Sequence, residues 1–267
     1  MHQSDIIICA DDFGLNGEVT DGIIDLLECN VITATSIFSG SLLVRQHHDW
    51  INRHRNMAHF GLHFNLTEKI GAGTFWSLPK VMLSSKLRLI SKNKIVHQLD
   101  WQIKNFADTL GFLPDYIDGH QHIHAFPVIR TALMNALYKN YDQDWPWIRG
   151  VEKITPGGGC VIKEKSLKWM SSGFSRELTA TNNTVKITNE LAGMYDFNPS
   201  VDFSKLLLGW IECSGPKTIL MVHPAIKENR KDPIGKSRLN EYLHLKKLSK
   251  KYCWIKDAKA QFFAQRK

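Results

Sequence analysis

The chain has 267 residues, of which 43% are hydrophobic and 22% charged, a balance that is typical of a globular protein and excludes a wholly disordered chain. It contains no run of about 18 uncharged apolar residues, which argues against a transmembrane helix. The length suits one α/β barrel, so we predict a single domain over residues 1–267.

The cysteines and the N-terminus bear on the cellular location. The five cysteines are scattered and form no C-x-x-C pair, which argues against a disulfide scaffold and against a thiolate zinc site. The N-terminus also lacks the pattern of charged and apolar residues that marks a signal peptide. We therefore expect a reducing, cytoplasmic location.

The charge balance is basic, with 34 Lys and Arg against 26 Asp and Glu and a formal net charge of +8. Residues 246–267 alone contain eight Lys or Arg and one Asp. A solvated helix face explains this cluster, and a docking patch for an anionic partner is the alternative. Because the charge is concentrated at one end of the chain, nucleic acid is not expected as a partner, whereas a weak contact with an anionic membrane surface is retained as a hypothesis.

Short apolar runs alternate with amphipathic stretches along the chain, and the apolar runs predict strands. The predicted strands cover residues 5–10, 33–38, 58–64, 116–124, 147–149, 218–223 and 252–255. Apolar residues at helical spacing predict helices over residues 18–29, 42–53, 98–110, 128–138 and 239–250. Two less periodic regions, residues 69–97 and 150–200, are predicted to be long loops or insertions over the functional site.

The repeated order of strand and helix favours a parallel sheet, which is either doubly wound or closed as a barrel. In both architectures the active site lies at the carboxyl ends of the strands. Ionisable residues follow several of the predicted strands at this edge: Asp11, Asp12, His63, the cluster within residues 118–124, and His223. The sequence therefore predicts one site that is built from several strand ends.

The segment DGHQHIH, from Asp118 to His124, carries the most specific pattern in the chain. Its histidines, His120, His122 and His124, alternate and are predicted to share one face of an extended strand with Asp118. Neutral imidazole is a common metal ligand, and its second nitrogen usually needs a carboxylate or carbonyl partner. A hydrogen-bonded cluster without a metal is the alternative interpretation.

The other candidate residues are less specific when each is taken alone. Asp11 and Asp12 repel each other if both lie at the strand end, so a metal, an arginine or a histidine is expected beside them. A helix cap or a turn also uses Asp, and His63 and His223 at strand ends also suit structural roles. A ligand set of carboxylates and imidazoles without thiolates suits Zn, Mn, Fe(II), Co, Ni or Mg.

Five segments that span nearly the whole chain carry a family resemblance. They are ADDFGLN at 10–16, GIIDLLECNVITATSIFSG at 22–40, GLHFNLTE at 61–68, DGHQHIHAFP at 118–127 and MVHPA at 221–225. In this order they resemble the YdjC-like carbohydrate deacetylases, a family that includes chitooligosaccharide deacetylases and hopanoid-biosynthesis-associated relatives. The resemblance implies a distorted TIM-like (β/α) barrel of seven or eight parallel strands with one divalent metal ion.

The resemblance also implies a role for each matching residue. Asp12, His63 and His120 would hold the metal, which is expected to be Mg²⁺ or Zn²⁺, with Mn²⁺, Co²⁺ and Ni²⁺ also compatible. Asp11 would act as the general base, and His223 as the general acid or as a partner of the oxyanion. The remaining residues would bind the substrate or support the site: Asp118, His122, His124 and Arg149.

The activity implied by the resemblance is removal of the acetyl group from an N-acetylated sugar, either an oligosaccharide or a glycolipid. A homodimer is implied in the same way. The residues themselves leave two other functions open. The same barrel and metal would serve a phosphoesterase or another amidohydrolase, and a non-catalytic protein would use its basic surface to bind an anionic partner.

Overall fold

The computed structural model describes residues 6–249, which form a seven-stranded parallel sheet surrounded by helices. The order of the strands in the sheet is β5-β4-β3-β2-β1-β7-β6, and every pairing is parallel. The strands are β1 (Ile6–Phe13), β2 (Ala34–Ile37), β3 (His59–Phe64), β4 (Tyr116–Gly119), β5 (Trp147–Ile148), β6 (Glu190–Ala192) and β7 (Thr218–Val222).

Ten α-helices are found within the described range. They are α1 (Gly17–Glu28), α2 (Leu42–Gln46), α3 (His48–Arg53), α4 (Leu78–Lys86), α5 (Lys92–Leu110), α6 (Ile129–Asn140), α7 (Val161–Ser171), α8 (Phe174–Thr181), α9 (Phe203–Cys213) and α10 (Gly235–Ser249). A 3₁₀ helix, His120–Ala125, follows β4 directly. Among residues 6–249, no helix is both long and apolar enough to cross a bilayer.

The two edges of the sheet curl towards each other and meet. At this seam the backbone N–H of Ile148 donates to the carbonyl oxygen of Lys186 at 2.8 Å, and the N–H of Thr188 donates back to Ile148 at 3.0 Å. A second parallel bridge joins Ile154 to Leu191 of β6. The predicted distorted (β/α) barrel of seven or eight parallel strands is therefore confirmed, with seven strands in the described residues.

Alternation along the buried strands divides the core into two parts. A small cluster contains only strand residues, so it fills the interior of the barrel: Ile7, Cys9, Ala34, Tyr116, Trp147 and Ile219. The neighbouring β1 residues, Ile6 and Ile8, belong instead to the larger cluster that the helices cover. Strands that are buried on both faces have continuous apolar runs in their sequence, and for this reason the sequence pattern predicted their positions.

Several predicted boundaries are wrong, for identifiable physical reasons. The predicted helix over 42–53 is divided at His47 into α2 and α3. The predicted strand over 116–124 ends at Gly119, because a 3₁₀ helix with left-handed backbone at Gln121 and His122 follows it. The strand predicted at 252–255 and most of the basic C-terminal cluster lie outside the described residues.

The two regions predicted as loops contain regular structure. Residues 69–97 include α4 and the beginning of α5, and residues 150–200 include α7, α8 and β6. The apolar residues of α4 and α7 are not confined to one face, since Leu83 and Ile162 are exposed, so their helical period is weak. The helices form because they pack on the barrel through side chains such as Val81 and Met170. Their predicted position over the site is correct, since both regions line the central cavity.

Candidate active site

The adjacent carboxylates Asp11 and Asp12 lie at the carboxyl end of β1. Asp12 has a φ of 74°, and the pairing of β1 with β2 shifts register between Ala10 and Phe13. A bulge of this kind changes the direction of the side chains at a strand end. Both carboxylates consequently line the same cavity instead of pointing to opposite faces of the sheet.

Three potential metal ligands from three strand ends converge beside this bulge. Oδ1 of Asp12 lies 3.3 Å from Nε2 of His63 and 3.1 Å from Nδ1 of His120, and the two imidazole nitrogens are 3.3 Å apart. Two ligands that each bind one metal at about 2.1 Å and subtend 90–110° are about 3.0–3.4 Å apart. The spacing and chemistry of these three groups therefore fit a single divalent cation.

Hydrogen bonds orient the imidazole of His63 within this group. Its Nδ1 lies 2.6 Å from Oδ1 of Asp118, which leaves Nε2 directed at Asp12. A carboxylate that holds the far nitrogen of a ligating histidine is a recurrent feature of metal sites. Burial by itself lowers the pKa of His63, but the carboxylates of Asp118 and Asp12 raise it to about 10. The pocket therefore strongly favours positive charge at this point.

The carboxylate of Asp11 is held by a buried guanidinium. Arg149 donates from Nη1 to Oδ2 and from Nη2 to Oδ1 of Asp11, each at 2.6 Å, and it also pairs with Asp118. Burial would raise the pKa of Asp11, but the charge and hydrogen bonds of Arg149 hold it well below its ordinary value. Arg149 is completely buried, so its contacts place it behind Asp11 and away from the cavity.

The same guanidinium explains a second cluster of potential ligands. Cys9, Asp11 and Asp118 also bring ligand atoms close together. Arg149 lies among them, and its Nη2 contacts Cys9 Sγ at 3.1 Å as well as both carboxylates. Burial raises the pKa of the Cys9 thiol far above its ordinary value, so it is not a thiolate. This second cluster is therefore a buried ion pair and not a further metal site.

His223 lies directly after β7, the strand that pairs with β1, so it is next to Asp11 at the same edge of the sheet. Its backbone N–H donates to Glu241, and its ring makes an edge contact with Phe197 at a centroid distance of 5.2 Å. Its Nδ1 is buried and has no hydrogen-bond partner among the described residues. Burial, together with the nearby charge of Arg238, lowers the pKa of His223 to about 4, so its imidazole is neutral at rest.

The sequence pattern predicted that the three histidines after Asp118 share one strand face. They do not, because β4 ends at Gly119 and the backbone is left-handed at Gln121 and His122. His120 reaches Asp12, whereas His122 lines the cavity with a buried Nδ1 that has no partner in the described structure. His124 is buried beneath the site, and its Nε2–H donates to the carbonyl oxygen of Arg149 at 2.9 Å. The pattern therefore located the site, while each histidine occupies a different position.

Three further groups at the site were not predicted. Nη2 of Arg238, from α10, donates to Oδ2 of Asp12 at 2.7 Å, and Asp232 holds the same guanidinium. Glu68 Oε1 lies 3.6 Å from His120 Nε2. Glu68 ends the segment GLHFNLTE that carries the resemblance, so that motif offered a signal for it. Arg238 belongs to no motif, and its sequence position carries no such signal.

The site opens into a cavity of about 570 Å³. Asp11, Asp12, His63, His120 and His223 form the polar end of the cavity. Apolar side chains from α4, α7 and the segments after β6 and β7 form most of the remaining wall: Leu78, Met82, Ile162, Met170, Met194, Phe197 and Ile234. A concave apolar pocket with a few converging polar groups is the usual form of a small-molecule site.

Comparison with known proteins places this geometry in context. A model of the YdjC-like protein family matches residues 5–253. The carbohydrate deacetylase of Mus musculus is 25% identical over 146 residues, covering 49% of this chain and 46% of that protein. The chitooligosaccharide deacetylase of Salmonella typhimurium is 29% identical over 131 residues, covering 46% of this chain and 52% of that protein. The chain thus matches about half the length of these relatives.

A solved structure shares the fold over almost the whole chain. It is a protein of Enterococcus faecalis provisionally named for cellobiose-phosphate cleavage. The two structures superimpose with a TM-score of 0.64 and 20% sequence identity, covering 96% of this chain and 94% of that chain. At this identity the similarity concerns the fold alone.

Proposed function

Since the chain belongs to the YdjC-like protein family, we propose that it is a metal-dependent hydrolase that removes the acetyl group from an N-acetylated sugar. One observation carries the proposal: three ligand atoms converge at 3.1–3.3 Å beside a carboxylate that a buried arginine holds. The names of the similar deacetylases supply the class of substrate.

The proposed metal ligands are Asp12, His63 and His120, and Asp118 orients His63 from behind. When bound, a divalent cation such as Mg²⁺ or Zn²⁺ would polarise the acetamide carbonyl and lower the pKa of a water molecule. The Arg238 guanidinium shares Asp12 through its other oxygen, so it holds that carboxylate in place without taking the oxygen that faces the histidines.

We assign proton transfer to two residues that line the cavity at the ends of the neighbouring strands β1 and β7. Asp11 accepts a proton from the attacking water, because it is ionised and Arg149 fixes its orientation. His223, which is neutral at rest, then takes up this proton at its unpaired Nδ1 and passes it to the nitrogen of the leaving amine, so that Asp11 returns to its ionised form. The C–N bond breaks as the new C–O bond is completed, which yields acetate and a free amino sugar.

Acetate release tests this function directly. The purified protein, loaded with Zn²⁺ or Mg²⁺, is incubated with chitooligosaccharides, N-acetylglucosamine and an N-acetylglucosaminyl lipid. Asp11→Asn is expected to lower kcat by at least about 100-fold because it removes the proton acceptor, and to keep the metal because the proposed ligands are unchanged and Asp118 still pairs with Arg149. His63→Ala and His120→Ala are expected to lose the metal, whereas the control His48→Ala, in the exposed helix α3, keeps both metal and turnover.

Two results would contradict the proposal. Full turnover by Asp11→Asn would remove that residue from proton transfer. Stoichiometric metal binding without acetate release from any substrate would favour another hydrolysed bond, such as a phosphoester or a different amide.

A further inference from the structure

Two helices that contribute to the cavity wall, α4 and α7, also carry exposed apolar side chains. Leu83, Leu87 and Leu89 follow one another along and just beyond α4, and Ile162 and Trp169 lie on α7. Each is more than half exposed, and the exposure reaches 75% at Leu89 and 85% at Ile162. We call these five residues the α4–α7 rim. Single exposed apolar residues are ordinary, but five on two neighbouring helices form a patch.

The two helices of the rim adjoin each other and the cavity. Lys86, in the last turn of α4, donates from Nζ to the carbonyl oxygen of Trp169 at 3.1 Å and lies 4.1 Å from the centre of its ring. Met82 of α4 and Met170 of α7 line the cavity, as does Ile162 of the rim. The rim therefore adjoins the apolar wall of the cavity, and Ile162 belongs to both.

Positive charge surrounds the rim. Residues 69–99 contain six Lys or Arg and no Asp or Glu, and α7 contains three Lys and one Glu. Lys80, Lys92 and Lys94 are exposed. An apolar patch within a basic surface is complementary to a bilayer whose headgroups carry negative charge, because apolar and electrostatic contacts then act together.

We propose that the α4–α7 rim docks this protein on the surface of an anionic lipid bilayer. The leucines and Ile162 enter the boundary between headgroups and acyl chains, Trp169 lies at headgroup level, and the surrounding lysines contact the headgroups. The rim contains none of the residues of the basic cluster at 246–267, and docking through it turns the cavity mouth towards the lipid. The inference does not depend on the reaction proposed above.

Vesicle co-sedimentation tests the proposal with the full-length chain. The vesicles contain phosphatidylcholine alone or with one third phosphatidylglycerol. We expect binding to the anionic vesicles only, weaker at higher salt. The triple variant Leu83→Gln/Leu87→Gln/Leu89→Gln is expected to lower the partition coefficient by about tenfold or more, because three apolar side chains no longer enter the bilayer. Lys92→Glu/Lys94→Glu should lower it as well.

A matched control tests whether vesicle binding needs the rim in particular or any exposed apolar residue. Met57 and Leu113 are also exposed, but they precede β3 and β4 and so lie at the opposite end of the barrel. Met57→Gln/Leu113→Gln is expected to bind vesicles like the unchanged protein. Thermal unfolding of each variant establishes that the fold is retained.

Three outcomes would overturn the inference. The first is recovery of the unchanged protein entirely in the supernatant with anionic vesicles. The second is vesicle binding that is the same for the triple variant and the unchanged protein and disappears only when residues 250–267 are removed. Finally, a dimer that the triple leucine variant abolishes, in a protein that binds no vesicles, would make the rim a contact between two copies of the chain.

Discussion

At the scale of single residues, Asp118 connects the two halves of the site. Its Oδ1 holds Nδ1 of His63, while its Oδ2 accepts from Ser36 at 2.6 Å and pairs with Arg149. Arg149 in turn fixes Asp11. One buried carboxylate thus orients a proposed metal ligand and anchors the guanidinium that holds the proposed base. Removal of either member of the Asp118–Arg149 ion pair would leave the buried charge of the other member without that partner.

Asp118→Asn is therefore expected to weaken metal binding by about 10–100-fold, the usual effect of losing the carboxylate behind a ligating histidine. Titration calorimetry with Zn²⁺ measures this change. The control is Asp115→Asn. Asp115 directly precedes β4, at the end of the strand away from the site, and its carboxylate accepts hydrogen bonds from Arg55 and from the N–H of Phe60. The control should lose stability and keep its metal affinity. Equal affinity in Asp118→Asn and the unchanged protein would refute this role.

At the scale of elements, α10 closes the site from the side. It places Arg238 against Asp12 and, one turn later, Glu241 against the backbone N–H of His223 and the hydroxyl of Tyr195. Burial raises the pKa of Glu241 to about 7, although these hydrogen bonds and Arg238 act in the opposite direction. A single helix face therefore supports both a proposed metal ligand and the proposed acid.

The raised pKa predicts a pH dependence of stability. The folded state binds a proton at Glu241 more tightly than the unfolded chain does, so the free energy of unfolding falls as the pH rises from 4.5 to about 7. Glu241→Gln removes this dependence. Urea unfolding measures the effect: between pH 4.5 and pH 8, the free energy of unfolding of the unchanged protein is expected to fall by on the order of 3 kcal/mol more than that of the variant. A constant difference between the two proteins would disprove the assignment.

At the scale of the whole molecule, the short β5 and β6 edges close the barrel and position Arg149. The seam passes through Gly150, whose N–H donates to the hydroxyl of Thr188 at 2.8 Å. A Cβ atom at Gly150 would lie 2.0 Å from the carbonyl oxygen of Thr188. Only glycine therefore permits the backbones to approach this closely at the seam, immediately after the arginine that holds Asp11.

Gly150→Ala is accordingly expected to lower the free energy of unfolding by about 1–3 kcal/mol, because the added methyl group forces the seam apart. Gly209→Ala is the matched control. Gly209 lies in α9 with no atom within 4 Å of the added Cβ, so alanine should raise stability by about 0.5–1 kcal/mol there. Denaturant unfolding of both variants measures the two effects, and a neutral Gly150→Ala would show that the seam is not tightly packed.

The sequence by itself determined a parallel α/β sheet and the edge of the sheet at which the site lies, and the family resemblance indicated the barrel. Six buried strands could be predicted because parallel strands covered on both faces are continuous apolar runs, and polar residues follow them where they end. Only β6 was missed within the described residues, since it has three residues and contains the charged Glu190. The proposed ligands Asp12, His63 and His120 were identified from such strand ends and from the family resemblance.

Only the tertiary structure decided how the residues of the site contact one another. The left-handed backbone at Gln121 and His122 separates the side chains of the three histidines after Asp118, and the closed barrel brings Arg149 to Asp11, 138 positions away in the sequence. Arg238 reaches Asp12 across 226 positions. Local patterns report periodicity and strand ends because these depend on neighbouring residues. Ion pairs across a barrel depend on its closure, which no short segment encodes.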